Sequence, residues 1–157
     1  MEPPTVASEL DKIILSMERD AYLLGQDLGD GCLSLHPRRW SLRIHQDLAY
    51  PGVIEEVRAA IELVNPTGGA AVYRPRRDQR MAIVYRYSAK WPELFPQHGA
   101  GKKHHRLILL APWQREIVME QHPGTFLRGL IHSDGWRGMN RRREAVARLD
   151  EFVGPKY

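Results

Sequence analysis

One cysteine, Cys32, is all the chain contains. No disulfide can form within one molecule, which fits a reducing compartment and excludes a disulfide-stapled secreted scaffold. No run of about 18 apolar residues occurs, so no membrane-spanning helix and no membrane partner are expected. The opening residues, Met1-Glu2-Pro3-Pro4, lack the basic and apolar regions of a secretory leader, and the expected location is cytoplasmic. The spacing of His98, His104, His105 and Cys32 matches no structural zinc pattern. Acidic side chains are scarce between residues 74 and 106, where nine basic residues face only Asp78 and Glu93; residues 1–31 reverse this, with two basic and seven acidic side chains. The 157 residues predict one domain with a sizeable core.

What the chain does have is a repeated phrase. Leu23-Leu24-Gly25-Gln26-Asp27-Leu28-Gly29-Asp30-Gly31 returns about a hundred residues later as Leu127-Arg128-Gly129-Leu130-Ile131-His132-Ser133-Asp134-Gly135. Each closes a helical pattern. Gly25 and Gly29, then Gly129 and Ser133, sit four apart, which stacks them on one helix face. Faces without side chains let two backbones approach, so residues 9–30 and 124–134 are expected to form close-packed neighbouring helices. Gly31 and Gly135 suit the left-handed residue that often ends a helix. Asp30 and Asp134 then lie at the negative ends of helix dipoles, an unfavourable place for a carboxylate. Brought together by the packing, they repel each other unless a cation intervenes. A shared divalent metal answers that problem, and Mg²⁺ favours carboxylate, water and phosphate oxygens. The blander reading is two core helices ending in Asp-Gly, a common turn pair.

These two stretches resemble the signature of the LAGLIDADG homing endonuclease family. The second copy matches the nine-letter name at Leu127, Gly129, Leu130, Ile131, Asp134 and Gly135; the first keeps Leu23, Gly25, Asp30 and Gly31. The chain as a whole is similar to LAGLIDADG-like proteins common in actinobacteria, through stretches that include Trp91–Gly99, Trp113–Val118 and Leu149–Lys156. The resemblance implies an α-ββ-α-ββ-α repeat whose sheet lies on duplex DNA. It implies a metal site at Asp30, Asp134, Gly29 and Ser133, and catalytic roles for Asp30, Asp134 and Lys90, the lysine standing near the scissile phosphate. The expected activity is a Mg²⁺-dependent double-strand DNA endonuclease, in which a metal-bound water attacks the phosphate, or a degenerate descendant of one. The alternative is a non-catalytic DNA-binding or regulatory protein.

The residues between the motifs fit one α+β domain with a four-stranded antiparallel sheet covered on one face by helices. Ser8 caps a helix starting near Glu9. Cys32–His36 and Trp40–Gln46 alternate on either side of a Pro37–Arg39 turn, a β-hairpin sending Trp40, Leu42 and Ile44 to one face and Ser41, Arg43 and His45 to the other. Pro51 opens a second helix that Asn65–Gly69 ends. Ala70–Tyr73 and Arg80–Tyr87 read as two further strands. A short helix surrounds Trp91, and another runs from Pro112 through Met119. Repeat one thus spans about 9–122. Repeat two, about 123–157, is reduced to helices: after Asp134 only a short strand at Trp136–Asn140 and a helix over Arg142–Phe152 are legible. The expected form is a monomer, with a homodimer that supplies the second sheet as the alternative.

The partner suggested by the charge is double-stranded DNA, because Arg and Lys release counterions from phosphate. The expected contact residues are Ser41, Arg43 and His45 on the outward hairpin face, Arg74, Arg76, Arg77, Arg80 and Arg86 beside it, and Lys102 and Lys103 in the Gly-rich loop that precedes His105.

Overall fold

The computed structural model describes residues 9–99 and 102–134. Ser8, Gly135, Trp136–Asn140 and Arg142–Phe152 lie outside the described residues. The order of elements is α1 (Glu9–Leu28), β1 (Gly31–His36), β2 (Arg39–Asp47), α2 (Pro51–Val64), β3 (Ala71–Tyr73), β4 (Met81–Ser88), α3 (Trp91–Leu94), α4 (Pro112–Arg115) and α5 (Pro123–Asp134). This is an α+β chain with one four-stranded antiparallel sheet in the order β1-β2-β4-β3. Among the described residues no helix is long and apolar enough to cross a membrane.

The hairpin forms where alternation places it. His36 pairs with Arg39 across a two-residue connection, and β2 then pairs with β4 from Trp40–Ser88 to Asp47–Met81. Because side chains alternate and directly paired residues share a face, the register assigns every position. Leu42, Ile44, Ala82 and Val84 are buried against Ile54, Val57, Ala60 and Ile61 of α2 and Ala21 and Leu24 of α1 in one apolar cluster. Cys32, Ser34, His36, Arg39, Arg43, His45, Tyr85 and Tyr87 fall on the other face, opposite the described helices that pack on the apolar cluster. The Pro-opened α2 begins and ends as its sequence predicts, with Pro51 in the first turn and Asn65 at the C-cap. The helix from Pro112 is α-helical for one turn only. It widens over Glu116–Gln121 into a π-turn, with His122 N–H reaching Ile117 O at 2.7 Å. Leu107–Leu109, apolar in sequence, make no strand and stay exposed.

Helices α1 and α5 pack through their glycines. A Cβ on Gly25 would stand 2.5 Å from the carbonyl oxygen of Phe126; one on Gly129 would stand 2.2 Å from that of Tyr22. Phe126 and Tyr22 are each three residues before the partner's glycine. The contact is therefore reciprocal, as a local two-fold relation between the motifs requires, and only hydrogen fits between the backbones. Gly31 departs from expectation. Its φ is not positive, since among the described glycines only Gly68 has a positive φ, 111°. It is needed for space instead: a Cβ there would meet the Asp27 Cα at 2.3 Å.

Gly25→Leu is expected to destabilise the fold by about 3 kcal/mol, because the obstacle is backbone that cannot rotate away. Urea unfolding measures this, and a change within about 0.5 kcal/mol, the size typical of bland surface sites, would deny the contact. A second expectation concerns Asp20, whose carboxyl burial pushes up from 3.8 to about 6. Between those values the folded chain holds a proton that the unfolded chain releases. Stability at this group therefore falls as pH rises from about 4 to 6. Asp20→Asn removes that loss and is expected to gain roughly 1–2 kcal/mol at pH 7 and nothing near pH 3, read from paired urea titrations.

Candidate nucleic-acid interface

The crossing carries both motif ends to one place. Beyond Gly25 and Gly129 the next small residues, Gly29 and Ser133, also meet, and Ser133 Oγ accepts the backbone N–H of Asp30 at 2.5 Å while donating to Gln26 O at 3.3 Å. The Asp134 carboxylate comes within 2.8 Å of the place a Gly29 Cβ would take. Burial pushes the Asp30 carboxyl up and the Asp134 charge adds to the rise; His45, Ser133 and Lys103 oppose it. The structure thus brings Asp30 and Asp134 together, as the packing argument required. Asp30 lines a cleft of about 500 Å³ whose walls also include His45, Asp47, Asp78, Arg80, His132 and Ser133.

The negative helix end already has a cation. Lys103 Nζ donates to the carbonyl oxygens of Asp27, of Gly29 at 3.2 Å and of Gly31 at 2.5 Å. An ammonium has three protons, and these contacts use all three. This corrects the assignment of Lys103 to phosphate: the last carbonyls of α1 have no intrahelical partner, and the helix dipole favours a cation there. It also explains why α1 ends without a left-handed glycine. The donor set does not fit a metal ion as it stands. Gly29 O is engaged by Lys103 and Ser133 Oγ by Asp30 and Gln26, and among the described residues no group of three or more His, Cys, Asp or Glu side chains converges to hold a metal.

Other expected residues divide by register. Arg43 and His45 lie on the open sheet face, Arg43 donating to Ser34 Oγ at 2.9 Å and His45 Nδ1 standing 3.1 Å from Asp30 O. Ser41 shares that face but is only 1% exposed, which corrects its assignment as a contact residue. Arg74, Arg76, Arg77 and Arg80 are exposed in the β3–β4 turn, at the same sheet end as Asp30, and Lys102 is exposed in its loop. Arg86 is a correction. It is 4% exposed on the helix-covered face, where its guanidinium donates to Asn65 O at the end of α2. Lys90 is a second. It follows Ser88, which pairs with Trp40, whereas Asp30 lies beside His45. Five strand residues separate the two ends, roughly 17 Å, too far for Lys90 to share a reacting phosphate with Asp30.

Sequence reasoning missed Arg39 and His36 on the open face. Arg39 stacks on Tyr87, 4.4 Å from the ring centroid, and His36 meets the same ring edge-on at 5.3 Å. Tyr85 follows at 6.0 Å. Extending the hairpin alternation by two residues, from Ser41 back to Arg39, would have found the arginine. Gln26, which breaks the apolar pattern of the first motif, has a structural task. Gln46 donates to it at 2.7 Å, it donates to Tyr22 OH at 3.0 Å, and that hydroxyl meets His132 Nδ1 at 3.0 Å. A polar thread therefore joins β2, α1 and α5 through the core. No family model, no curated protein and no solved structure matches this chain.

Tyr22→Phe cuts the thread and strands the buried Gln26 amide. It is expected to cost about 1–2 kcal/mol in chemical denaturation. A loss larger in wild type than in a Gln26→Leu background would confirm that the hydroxyl acts through Gln26; equal losses in both would refute it.

Proposed function

We propose that this chain is a LAGLIDADG-type duplex DNA-binding protein with one reading face and no metal-dependent cutting. The observation that carries the reading is the reciprocal Gly25–Gly129 crossing, which sets Asp30 and Asp134 side by side at the end of an uncovered, arginine-bearing sheet face. That is the juxtaposition the motif resemblance implies, reached here from backbone contacts alone. The α-ββ-α-ββ-α order of α1, β1, β2, α2, β3, β4 and the following helices is compatible with the family's repeat.

Charge supports the choice of partner. Arg39 lies near one end of the open face, Arg43 in its middle, and Arg74, Arg76, Arg77 and Arg80 at the other end. Strand β2 has nine residues and spans roughly 30 Å, close to one turn of duplex DNA at about 34 Å. Exposed arginines at both ends would therefore meet phosphates while Arg43, His45 and Tyr85 face the groove, whose edge pattern distinguishes all four base pairs. Three observations favour binding over cleavage: Lys103 on Gly29 O, Lys90 at the far sheet end, and a single sheet among the described residues. The small face of α1, through which a second copy would have to pair, is filled by α5 of the same chain, which supports a monomer.

Replacing Arg76 and Arg77 with Ala is expected to weaken duplex binding and to lower the slope of log affinity against log salt by about 2, near one per lost phosphate contact. Fluorescence anisotropy over a salt series measures both. Unchanged affinity and slope would overturn the proposed interface. Incubation of a random duplex pool with Mg²⁺ is expected to leave it uncut; scission abolished by Asp134→Asn would restore the nuclease reading.

A further inference from the structure

We infer that Lys103 is a built-in cation that takes the place of a divalent metal at the motif ends. The inference rests on the proposed family reading for the comparison with a metal, though not for the geometry. Two carboxylates meet at this point, the partly buried Asp30 and Asp134, which repels it, while the Asp27 carboxyl, on a residue 6% exposed, faces Lys103, Arg106 and His98. The C-terminus of α1 adds its own negative dipole end. Such a group needs a positive charge to fold against. Lys103 supplies it from a loop more than seventy residues away in sequence, with its ammonium on the oxygens of Asp27, Gly29 and Gly31.

The contact is not a surface ion pair. All three acceptors are carbonyl oxygens fixed by the backbone, and their spacing in sequence wraps the helix end around one nitrogen. Asp27 and Asp30 both feel the lysine charge, and Asp27 is also drawn toward Arg106 and His98. Hard cations take such oxygens, as Ca²⁺ and Mg²⁺ do. An ammonium does the same work with hydrogen bonds, at fixed occupancy and whatever the metal concentration. Gly29 O, one of its acceptors, is the oxygen next to Asp30 in the chain. A metal drawing on Gly29 O and Asp30 would stand against a second full positive charge. Duplex binding by this chain therefore proceeds without divalent metal.

Mn²⁺ is the probe, titrated into the DNA-free protein and followed by the electron spin resonance signal of the free ion. Wild type and Asp30→Asn are expected to give superimposable isotherms. A saturable site in wild type that Asp30→Asn removes would overturn the inference, and this comparison needs no lysine variant to fold. Lys103→Met, checked for folding by circular dichroism, is expected to melt ~5 °C or more below wild type and to recover part of that shift in millimolar Mn²⁺. A folded Lys103→Met protein that melts at the wild-type temperature would also overturn it. Failure of the chain to bind duplex DNA would sink the functional reading and leave these metal isotherms standing.

Discussion

The approach of Gly25 to Gly129 sets the terms for everything around it. With a Cβ on either residue standing within about 2.5 Å of a carbonyl oxygen, no side chain larger than hydrogen is compatible with the crossing. Once the helices cross there, Gly29 must meet Ser133, and Asp30 must meet Asp134. The carboxylates are thus not drawn together by any attraction of their own. They are carried together by a contact two turns away, and the chain has to manage the repulsion that results. Ser133 holds the Asp30 backbone, His45 stands against its carbonyl, and Lys103 neutralises the helix end. Removing any one of these leaves the others facing a less tolerable charge.

The two motifs are equivalent at the crossing and unequal everywhere else. Leu23 and Asp27 of α1 are nearly inaccessible, covered by the sheet and by the loop that carries Lys103. Their counterparts on α5, Leu127 and Ile131, are 55% and 47% exposed. The same inequality appears in the hydrogen bonds: the Ser133 hydroxyl reaches across to Asp30, and Gly29 has none to return. Among the described residues the helix pair thus has two-fold contacts but one-sided surroundings.

Local signals made much of this legible in advance. Alternation in Trp40–Gln46 assigned the hairpin faces correctly because its apolar residues keep a period of two. Proline and the Asn65–Gly69 cluster bounded α2. The small-residue spacing gave the helix pair, since backbone approach leaves a direct trace in composition. Legibility failed where a residue's partner was distant. Nothing near Lys103 in sequence announces that its ammonium will lie on Asp27, Gly29 and Gly31. Nothing near Arg86 announces Asn65; only its pairing with Leu42 reveals that it lies with Ala82 and Val84 on the buried face. Lys90 was misplaced for a different reason: antiparallel register decides which sheet end a residue occupies, and register is a pairing property.

Arg86 and Lys103 share one lesson about basic residues in this chain. Both were counted toward a phosphate-binding surface, and both satisfy the carbonyl end of a helix, Arg86 at α2 and Lys103 at α1. Orphan carbonyls and nucleic-acid phosphates ask for the same donors, so charge counts alone cannot separate them. Position does. A basic residue one turn beyond a helix in space, half-buried and surrounded by backbone oxygen, has its acceptors within the fold. One in an exposed turn, such as Arg76 or Arg77, keeps its charge in solvent. Taking the two inward residues away leaves Arg43, the β3–β4 turn and Lys102 of that set, with Arg39 beside them. Among the described residues, Arg39 and Arg43 lie on the sheet face opposite the buried cluster, and the β3–β4 turn arginines stand exposed at one end of that sheet.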